Sequence, residues 1–188
     1  MSLSRLEVLS RDMIAELLGV GIKRTNIIMR EINSSGNVSF IDNPKGRIFK
    51  LSKRGAAIFD VNYLHGWSLL EHRLMRNWTL IHENEYSLEE MVKIGDISVV
   101  PDAVIKGDKI KFIEIDRKQK WKANVNKLER YAALKETGAF QKQYGYYPRL
   151  IWIVEMESRI DKIKKCCSEL DLPIEVFHVG EIKSVSNR

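Results

Sequence analysis

Three acidic residues in the middle of the chain have the types and the spacing needed to hold a metal ion. Glu114 and Asp116 are two residues apart in the segment IEID, and they share one face of a strand because successive side chains of a strand point to opposite sides. Asp102 opens the preceding apolar segment, and a hairpin turning at residues 106–109 would bring it near Glu114. Clustered carboxylates are unfavourable unless a cation or a proton compensates them, and oxygen ligands suit Mg²⁺ or Mn²⁺. Because metal-bound carboxylates can activate water, these residues predict a site for phosphodiester hydrolysis.

Other charged residues could complete this acidic group or neutralise it. Glu71, on the helix predicted before these strands, is a further candidate ligand for the same metal ion, but it could equally pair with Arg73 or Arg76. Arg117 and Lys118 could neutralise the two acids of the strand through salt bridges. A metal site and a salt-bridged strand therefore both remain open as interpretations.

Helices and strands alternate around these acids in the order that is typical of an α/β domain. Phe112 and Ile113 point to opposite faces of their strand, so helices must cover both sides of the sheet if both residues are buried. The strands 103–105 and 110–115 are predicted to be adjacent and antiparallel because a tight turn separates them. We therefore expect residues 61–188 to form a mixed sheet. The other predicted elements are helices at about 67–81, 123–137 and 159–170, and strands at about 149–154 and 174–179.

The first 60 residues follow a different pattern, two short helices and then a hairpin. Ser10 can cap a helix in SRDMIAELLGVG, and Gly19 and Gly21 separate it from a second helix in IKRTNIIMREINSSG. Two helices joined by a tight turn that contains glycine are typical of a helix-turn-helix. The hairpin turns at residues 43–46. The residues of the second helix that are predicted to face the core are Ile22, Ile27, Ile28 and Ile32.

Positive charge is concentrated in this N-terminal segment. The chain carries 31 Lys and Arg against 25 Asp and Glu, a net charge of +6, and residues 1–60 contain ten basic and six acidic residues. In a helix-turn-helix the second helix enters the major groove, and basic residues beside it reach phosphates. We therefore predict double-stranded DNA as the partner of this segment. The candidate DNA contacts are Lys23, Arg24, Asn26 and Arg30 on the second helix, and Lys45 and Arg47 in the hairpin.

The rest of the composition excludes several other classes of protein. The chain has two cysteines, Cys166 and Cys167, and adjacent cysteines rarely form a disulfide because the bond strains the backbone. Neither they nor the histidines have the spacing of a tetrahedral zinc site. No apolar run approaches the roughly 18 residues of a transmembrane helix, and the N-terminus lacks the pattern of a signal peptide. We expect a cytoplasmic protein without membrane contact.

The N-terminal segment resembles winged-helix proteins, whose sequences often close on a phrase such as FKLSKRGAA. The resemblance implies a winged helix-turn-helix domain over residues 1–60, with the hairpin as its wing. Winged-helix domains begin with a full first helix, whereas only residues 2–9 precede Ser10 here. That helix is expected to be a single turn, to be absent, or to be replaced by packing from elsewhere in the protein. A shortened core also leaves room for a homodimer contact.

The acidic segment resembles the PD-(D/E)XK nuclease superfamily, whose restriction-endonuclease-like core is a helix, a three-stranded meander, a helix and a further strand. Pro101 and Asp102 match the PD, and Glu114 matches the (D/E). The resemblance implies that residues 61–188 form a nuclease-like mixed-sheet domain, in which these acids would hold Mg²⁺ or Mn²⁺.

The lysine of that motif is where the chain departs from the superfamily. It would fall at position 116, where this chain has Asp116. In the superfamily this lysine helps to position the attacking water and to stabilise charge. Lys118, two residues further on, or Lys127, on the next predicted helix, could replace it. The candidate catalytic residues are Asp102, Glu114, Asp116, Lys118 and Lys127.

The order of a winged helix, PDAVI, FIEIDRKQ and KLERYAAL resembles the replication-relaxation family of plasmids, phages and integrative elements. These segments cover most of residues 10–137. The resemblance implies a DNA-binding protein that acts in replication, transfer or their control, as a homodimer or with a replication-complex partner. The alternative function is a Mg²⁺-dependent endodeoxyribonuclease of the PD-(D/E)XK type. A module without a nucleic-acid partner would leave the basic helix and hairpin unexplained.

Overall fold

Helices and mixed sheets together build the chain, which confirms the α+β class expected from the sequence. The computed structural model describes residues 2–44 and 46–182. The chain divides into two units, Met1–His82 and Glu83–Arg188. Within the described ranges, no helix has the length and apolar character needed to cross a membrane. Lys45, a predicted DNA contact, lies outside the described residues.

The first unit combines short helices with a three-stranded antiparallel sheet in its described residues. The order of the strands in that sheet is β1–β3–β2, and every residue of β3 is buried. Its helices are α1 (Ser2–Leu6), α2 (Arg11–Leu18), α3 (Ile22–Ser34), α4 (Lys53–Ile58) and α5 (Leu70–Trp78), and its strands are β1 (Val8–Ser10), β2 (Val38–Ile41) and β3 (Ile48–Leu51).

Helix α5 belongs to the first unit, so the division of the chain falls later than the boundary predicted at residue 60. Asn77 of α5 donates hydrogen bonds to the carbonyl oxygens of Leu6 and Val8, both at 2.7 Å. Lys50 of β3 donates to the carbonyl oxygen of Gly66, also at 2.7 Å. Both donors are buried, and buried polar groups need such partners. The first helix, α1, has five residues, and α5 supplies the packing from elsewhere that a shortened first helix requires.

Helices α2 and α3 meet at a tight turn, as predicted, but α3 presents an unexpected side to the core. Gly19 ends α2 with a φ of 61°, a conformation that glycine adopts without steric cost. Thr25 and Met29 are the buried residues of α3, one turn apart, and the Thr25 hydroxyl donates to the Gly21 carbonyl oxygen at 3.2 Å.

The predicted apolar face of α3 is therefore wrong for three of its four isoleucines. Ile22, Ile27 and Ile32 are exposed, and Ile28 is half-buried. The physical reason is that a threonine whose hydroxyl bonds to the preceding turn can be buried as readily as an apolar residue, so apolar residues alone do not define the core side.

The second unit is built on a five-stranded mixed sheet in its described residues, in the order β10–β9–β8–β7–β4. The neighbours β10, β9 and β8 are parallel, whereas β7 is antiparallel to both β8 and β4. Strands β7 and β8 are thus adjacent and antiparallel, as predicted. Three short strands between residues 86 and 99 were not predicted. The elements of this unit are the strands β4 (Tyr86–Leu88), β5 (Val92–Ile94), β6 (Ile97–Val99), β7 (Ala103–Ile105), β8 (Lys111–Asp116), β9 (Arg149–Val154) and β10 (Ile174–His178), and the helices α6 (Trp121–Glu136), α7 (Ala139–Tyr144) and α8 (Ile160–Glu169).

Both faces of β8 are buried, so its three apolar residues and its two acids are all enclosed. Phe112 belongs to one core cluster with Leu128 and Tyr131 of α6 and with Ile163 of α8. Ile113, on the other face, is buried as well. Because side chains alternate along a strand, the acids of β8 share the Phe112 face and point toward α6.

Candidate functional site

The register of β7 and β8 places Asp102 directly across from Glu114, as the predicted hairpin required. Ala103 pairs with Ile113 in an antiparallel register, so Asp102, which precedes Ala103, faces Glu114, which follows Ile113. The backbone N–H of Asp102 donates to the carbonyl oxygen of Ile113 at 3.0 Å. The N–H of Ile115 donates to Oδ2 of Asp102 at 2.7 Å, which fixes that carboxylate beside the strand.

Glu114 is 2% exposed, and both of its oxygens accept hydrogen bonds from α6. The Tyr131 hydroxyl donates to Oε1 at 2.5 Å, and Lys127 donates from Nζ to Oε2. Burial raises the pKa of Glu114 to about 8; the positive charge of Lys127 opposes that rise, and the charge of Asp102 adds to it. Burial also raises the pKa of Tyr131 well above its ordinary value, so this hydroxyl keeps its proton and acts as a donor.

Asp116 lies beside Glu114 on the same face of β8 and is 1% exposed. Its Oδ2 accepts hydrogen bonds from Asn124 of α6 at 2.7 Å and from the Arg159 guanidinium at 3.0 Å. Arg159 also donates to the carbonyl oxygen of Gln119 at 2.7 Å. The second carboxylate oxygen, Oδ1, has no hydrogen-bond partner among the described residues. Each of the two buried acids of β8 is thus in contact with a basic side chain, Glu114 with Lys127 and Asp116 with Arg159.

Of the two lysines that could replace the lysine of the motif, Lys127 reaches Glu114. Lys118 is exposed, and Arg117 pairs with Glu155 at 3.2 Å. The acids of β8 therefore form their salt bridges with Lys127 and Arg159 instead of with Arg117 and Lys118. The reason is that the chain turns away from the sheet after β8.

Sequence reasoning missed Asn124, Tyr131 and Arg159 as partners of the acids. Asn124 and Tyr131 could have been found, since they lie on one face of a helix with Lys127, at a spacing of three and four residues. Arg159 has no such signal, because it is far along the chain from the acid that it contacts.

We call Asp102, Glu114 and Asp116 the acidic cluster. Each of these carboxyl groups already accepts hydrogen bonds from protein donors, and this arrangement does not suit a metal ion. The described residues contain no group of three or more His, Cys, Asp or Glu side chains arranged to hold a metal. Glu71, the third predicted ligand, belongs to the first unit, where its Oε1 accepts a hydrogen bond from Asn43 at 3.4 Å. A cation at Glu114 would have to displace the ammonium of Lys127.

The second candidate site is the outer face of α3 in the first unit. All four predicted contacts of this helix are exposed: Lys23, Arg24, Asn26 and Arg30. In the hairpin, Arg47 pairs with Asp42 at 2.9 Å, with both side chains open to solvent, and its guanidinium lies over the ring of Phe40, 4.1 Å from the centroid. Exposed ion pairs of this kind are weak, so Arg47 could exchange its partner for a phosphate.

A comparison with protein families gives one match, to the family model described as replication-relaxation, over residues 1–150. No curated protein and no solved structure matches the chain. The matched range includes α3, Asp102, Glu114 and Lys127, and it spans well over half of the chain. The protein therefore belongs to the replication-relaxation family, and this membership indicates a role in replication or in the function of a mobile element.

Proposed function

We propose that this protein binds duplex DNA of a plasmid, phage or integrative element through a winged helix-turn-helix in its first unit, and that it acts there in replication, transfer or their control. Two helices joined at the tight turn after Gly19, followed by the hairpin of β2 and β3, support a helix-turn-helix with a wing. In such a domain α3 is the recognition helix that enters the major groove.

The observation that carries this proposal is the distribution of residues around α3. Thr25 and Met29 face the core, whereas three cations and one amide side chain are exposed and available to DNA. Glu31 is the single acidic residue in this helix. Lysine and arginine neutralise phosphates, and asparagine can read a base edge, so this face has the chemistry of duplex recognition.

We propose that the second unit is nuclease-like in fold and acts without cutting. The support for this view is the pairing of Lys127 with Glu114 and of Arg159 with Asp116, which compensates the acids internally. In this hypothesis the acidic cluster holds β8 against α6 instead of holding a reactive water.

One observation favours a second candidate, a Mg²⁺- or Mn²⁺-dependent endonuclease. Asp102 lies across from Glu114, and Lys127 is within hydrogen-bond reach of that acid, where a lysine of the PD-(D/E)XK motif would act. Nicking of supercoiled plasmid with either ion, lost in both Asp102→Asn and Glu114→Gln, would establish this function. The absence of nicking over a range of substrates would leave the binding function.

The proposal is tested by measuring the affinity of the full chain for a fluorescent random-sequence duplex. Lys23→Ala with Arg30→Ala should weaken binding at least tenfold. The matched control is Lys162→Ala with Lys164→Ala, which removes the same charge from exposed positions of α8 and should have little effect. Equal losses in the two double variants would show that only net charge matters, and would reject α3 as the DNA-binding element.

A further inference from the structure

A group of aromatic rings beside the N-terminal ends of β8 and β9 is not used by the proposed function. Tyr144, the last residue of α7, is 44% exposed. Its ring stacks on Phe140, with centroids 5.8 Å apart and an angle of 29° between the planes. The ring of Tyr146 follows at 6.2 Å from Tyr144. We call Phe140, Tyr144 and Tyr146 the tyrosine platform.

Contacts with the backbone and with the core fix the rings of the tyrosine platform. The Tyr146 hydroxyl accepts a hydrogen bond from the backbone N–H of Ile110 at 2.8 Å. Phe140 meets the ring of the buried Phe112 edge-on, with centroids 5.8 Å apart. Gly145 reverses the chain with a φ of 79°, which only glycine adopts readily, so the rings on either side of it come together. An aromatic surface fixed in this way loses little conformational entropy when it stacks on a ligand.

The chain around the platform is basic. The segments 106–111 and 139–149 contain five basic residues and one acidic residue, Asp108. Lys109 places its ammonium 5.9 Å from the centroid of Tyr146. In the described part of the chain, neither Lys109 nor Lys142 of α7 forms an ion pair, and both are exposed. Two of the other basic residues, Lys106 and Arg149, are paired with glutamates, so Lys109 and Lys142 are the cations available beside the rings.

We infer that the tyrosine platform binds single-stranded DNA. Bases stack on exposed aromatic rings whatever their sequence, and neighbouring lysines follow the backbone phosphates. A duplex cannot use this surface in the same way, because its bases are already stacked inside the helix. Tyr144 presents nearly half of its surface to solvent, so its ring is accessible to a base.

This site is separate from the one in the proposed function. The platform lies in the second unit and α3 in the first, and Asp102, Glu114 and Asp116 lie near the opposite end of β7–β8 from the 106–111 turn. A protein with both sites would bind duplex DNA and an opened strand, which is the combination present where a replicating element is unwound.

The experiment compares the full chain and its variants on a fluorescent 20-nucleotide oligo(dT) and on a duplex of the same length. Tyr144→Ala should weaken oligo(dT) binding roughly tenfold, the usual effect of removing one stacking ring, and should leave duplex binding unchanged. Tyr144→Phe keeps the ring and should bind as the wild type does. Lys109→Ala with Lys142→Ala should weaken oligo(dT) binding and reduce its salt dependence. Trp121→Ala removes a ring of similar exposure, 38%, from α6, and should have no effect.

Unchanged oligo(dT) binding in Tyr144→Ala, or an equal loss in Trp121→Ala, would overturn the inference. Tighter binding of oligo(U) than of oligo(dT) would overturn the assignment to DNA. Failure of the proposed function has a different signature, since it appears as duplex binding that does not depend on α3, whatever the result on the single strand.

Discussion

Lys127 donates a hydrogen bond from α6 to Oε2 of Glu114 on β8, in the interior of the second unit. The Tyr131 hydroxyl donates to the other oxygen at 2.5 Å. Since Glu114 is buried and lies across from Asp102, the protonation of this one carboxyl group links the pH of the solution to the stability of the fold.

The free energy of unfolding should fall as pH rises from about 4.5 to about 8, because Glu114 holds its proton more tightly in the folded chain, where its pKa is about 8, than in the unfolded chain. The contribution is fully present below the unfolded pKa and is lost as pH passes through the folded pKa. Its slope is at most about 1.4 kcal/mol per pH unit. Denaturant unfolding should show that the difference in free energy of unfolding between the wild type and Glu114→Gln becomes smaller as the pH rises from about 4.5 to about 8. A difference that does not change with pH would contradict this pKa.

Replacing Lys127 should move this dependence to higher pH, because the ammonium is what opposes the rise in the Glu114 pKa. At pH 9, where Glu114 of the wild type is ionised, Lys127→Met should cost about 1.4 kcal/mol, the free energy of protonating this carboxyl group one pH unit above its pKa of about 8. At pH 6, where the carboxyl group is protonated, the cost should be smaller. Lys118→Met, at an exposed position just after β8, should change the free energy of unfolding little at either pH. Equal costs for Lys127→Met at both values would show that the ion pair does not depend on Glu114 protonation.

Mg²⁺ or Mn²⁺ should leave the Tm of the wild type unchanged. The reason is that Lys127 and Arg159 already compensate Glu114 and Asp116, so the native chain gains no metal binding and no stabilisation by mass action. Differential scanning fluorimetry with and without each ion measures this. A rise in Tm with metal that disappears in Asp102→Asn would instead support the endonuclease.

The hydrogen bonds from Asn77 to the end of α1 and to β1 should be essential for the stability of the first unit. Asn77→Ala leaves the buried carbonyl oxygens of Leu6 and Val8 without their donor, at a cost of about 2 kcal/mol or more. Asn62→Ala, at an exposed position of the same unit, should cost less than about 0.5 kcal/mol. Denaturant unfolding measures both, and a similar effect of the two variants would show that α5 is not anchored through Asn77.

The sequence was sufficient for features that depend on local pattern. Strand alternation put Glu114 and Asp116 on one face, and the short turn at residues 106–109 set the register that brings Asp102 to Glu114. Lys23 and Arg30 of α3 are exposed, as their charge predicts, although the apolar face predicted for this helix from spacing was wrong.

Features that depend on contacts between distant segments could not be predicted. Arg159, which lies beyond β9, contacts Asp116, and no local sequence pattern predicts that contact. Arg76 and Asn77 are fully buried, although a search for apolar periodicity treats them as surface residues. The division of the chain falls after His82, later than the predicted residue 60, because α5 is joined to the first unit through polar atoms.

The salt dependence of duplex binding tests the central claim, that α3 carries the DNA contacts, most directly. A plot of log Kd against log salt between about 50 and 200 mM reports the number of phosphates neutralised, with a slope of about 0.9 for each. If Lys23 and Arg30 each contact a phosphate, Lys23→Ala with Arg30→Ala should reduce that slope by about 2. Lys162→Ala with Lys164→Ala should leave it unchanged. A slope that is the same in the wild type and in the α3 variant would contradict the claim.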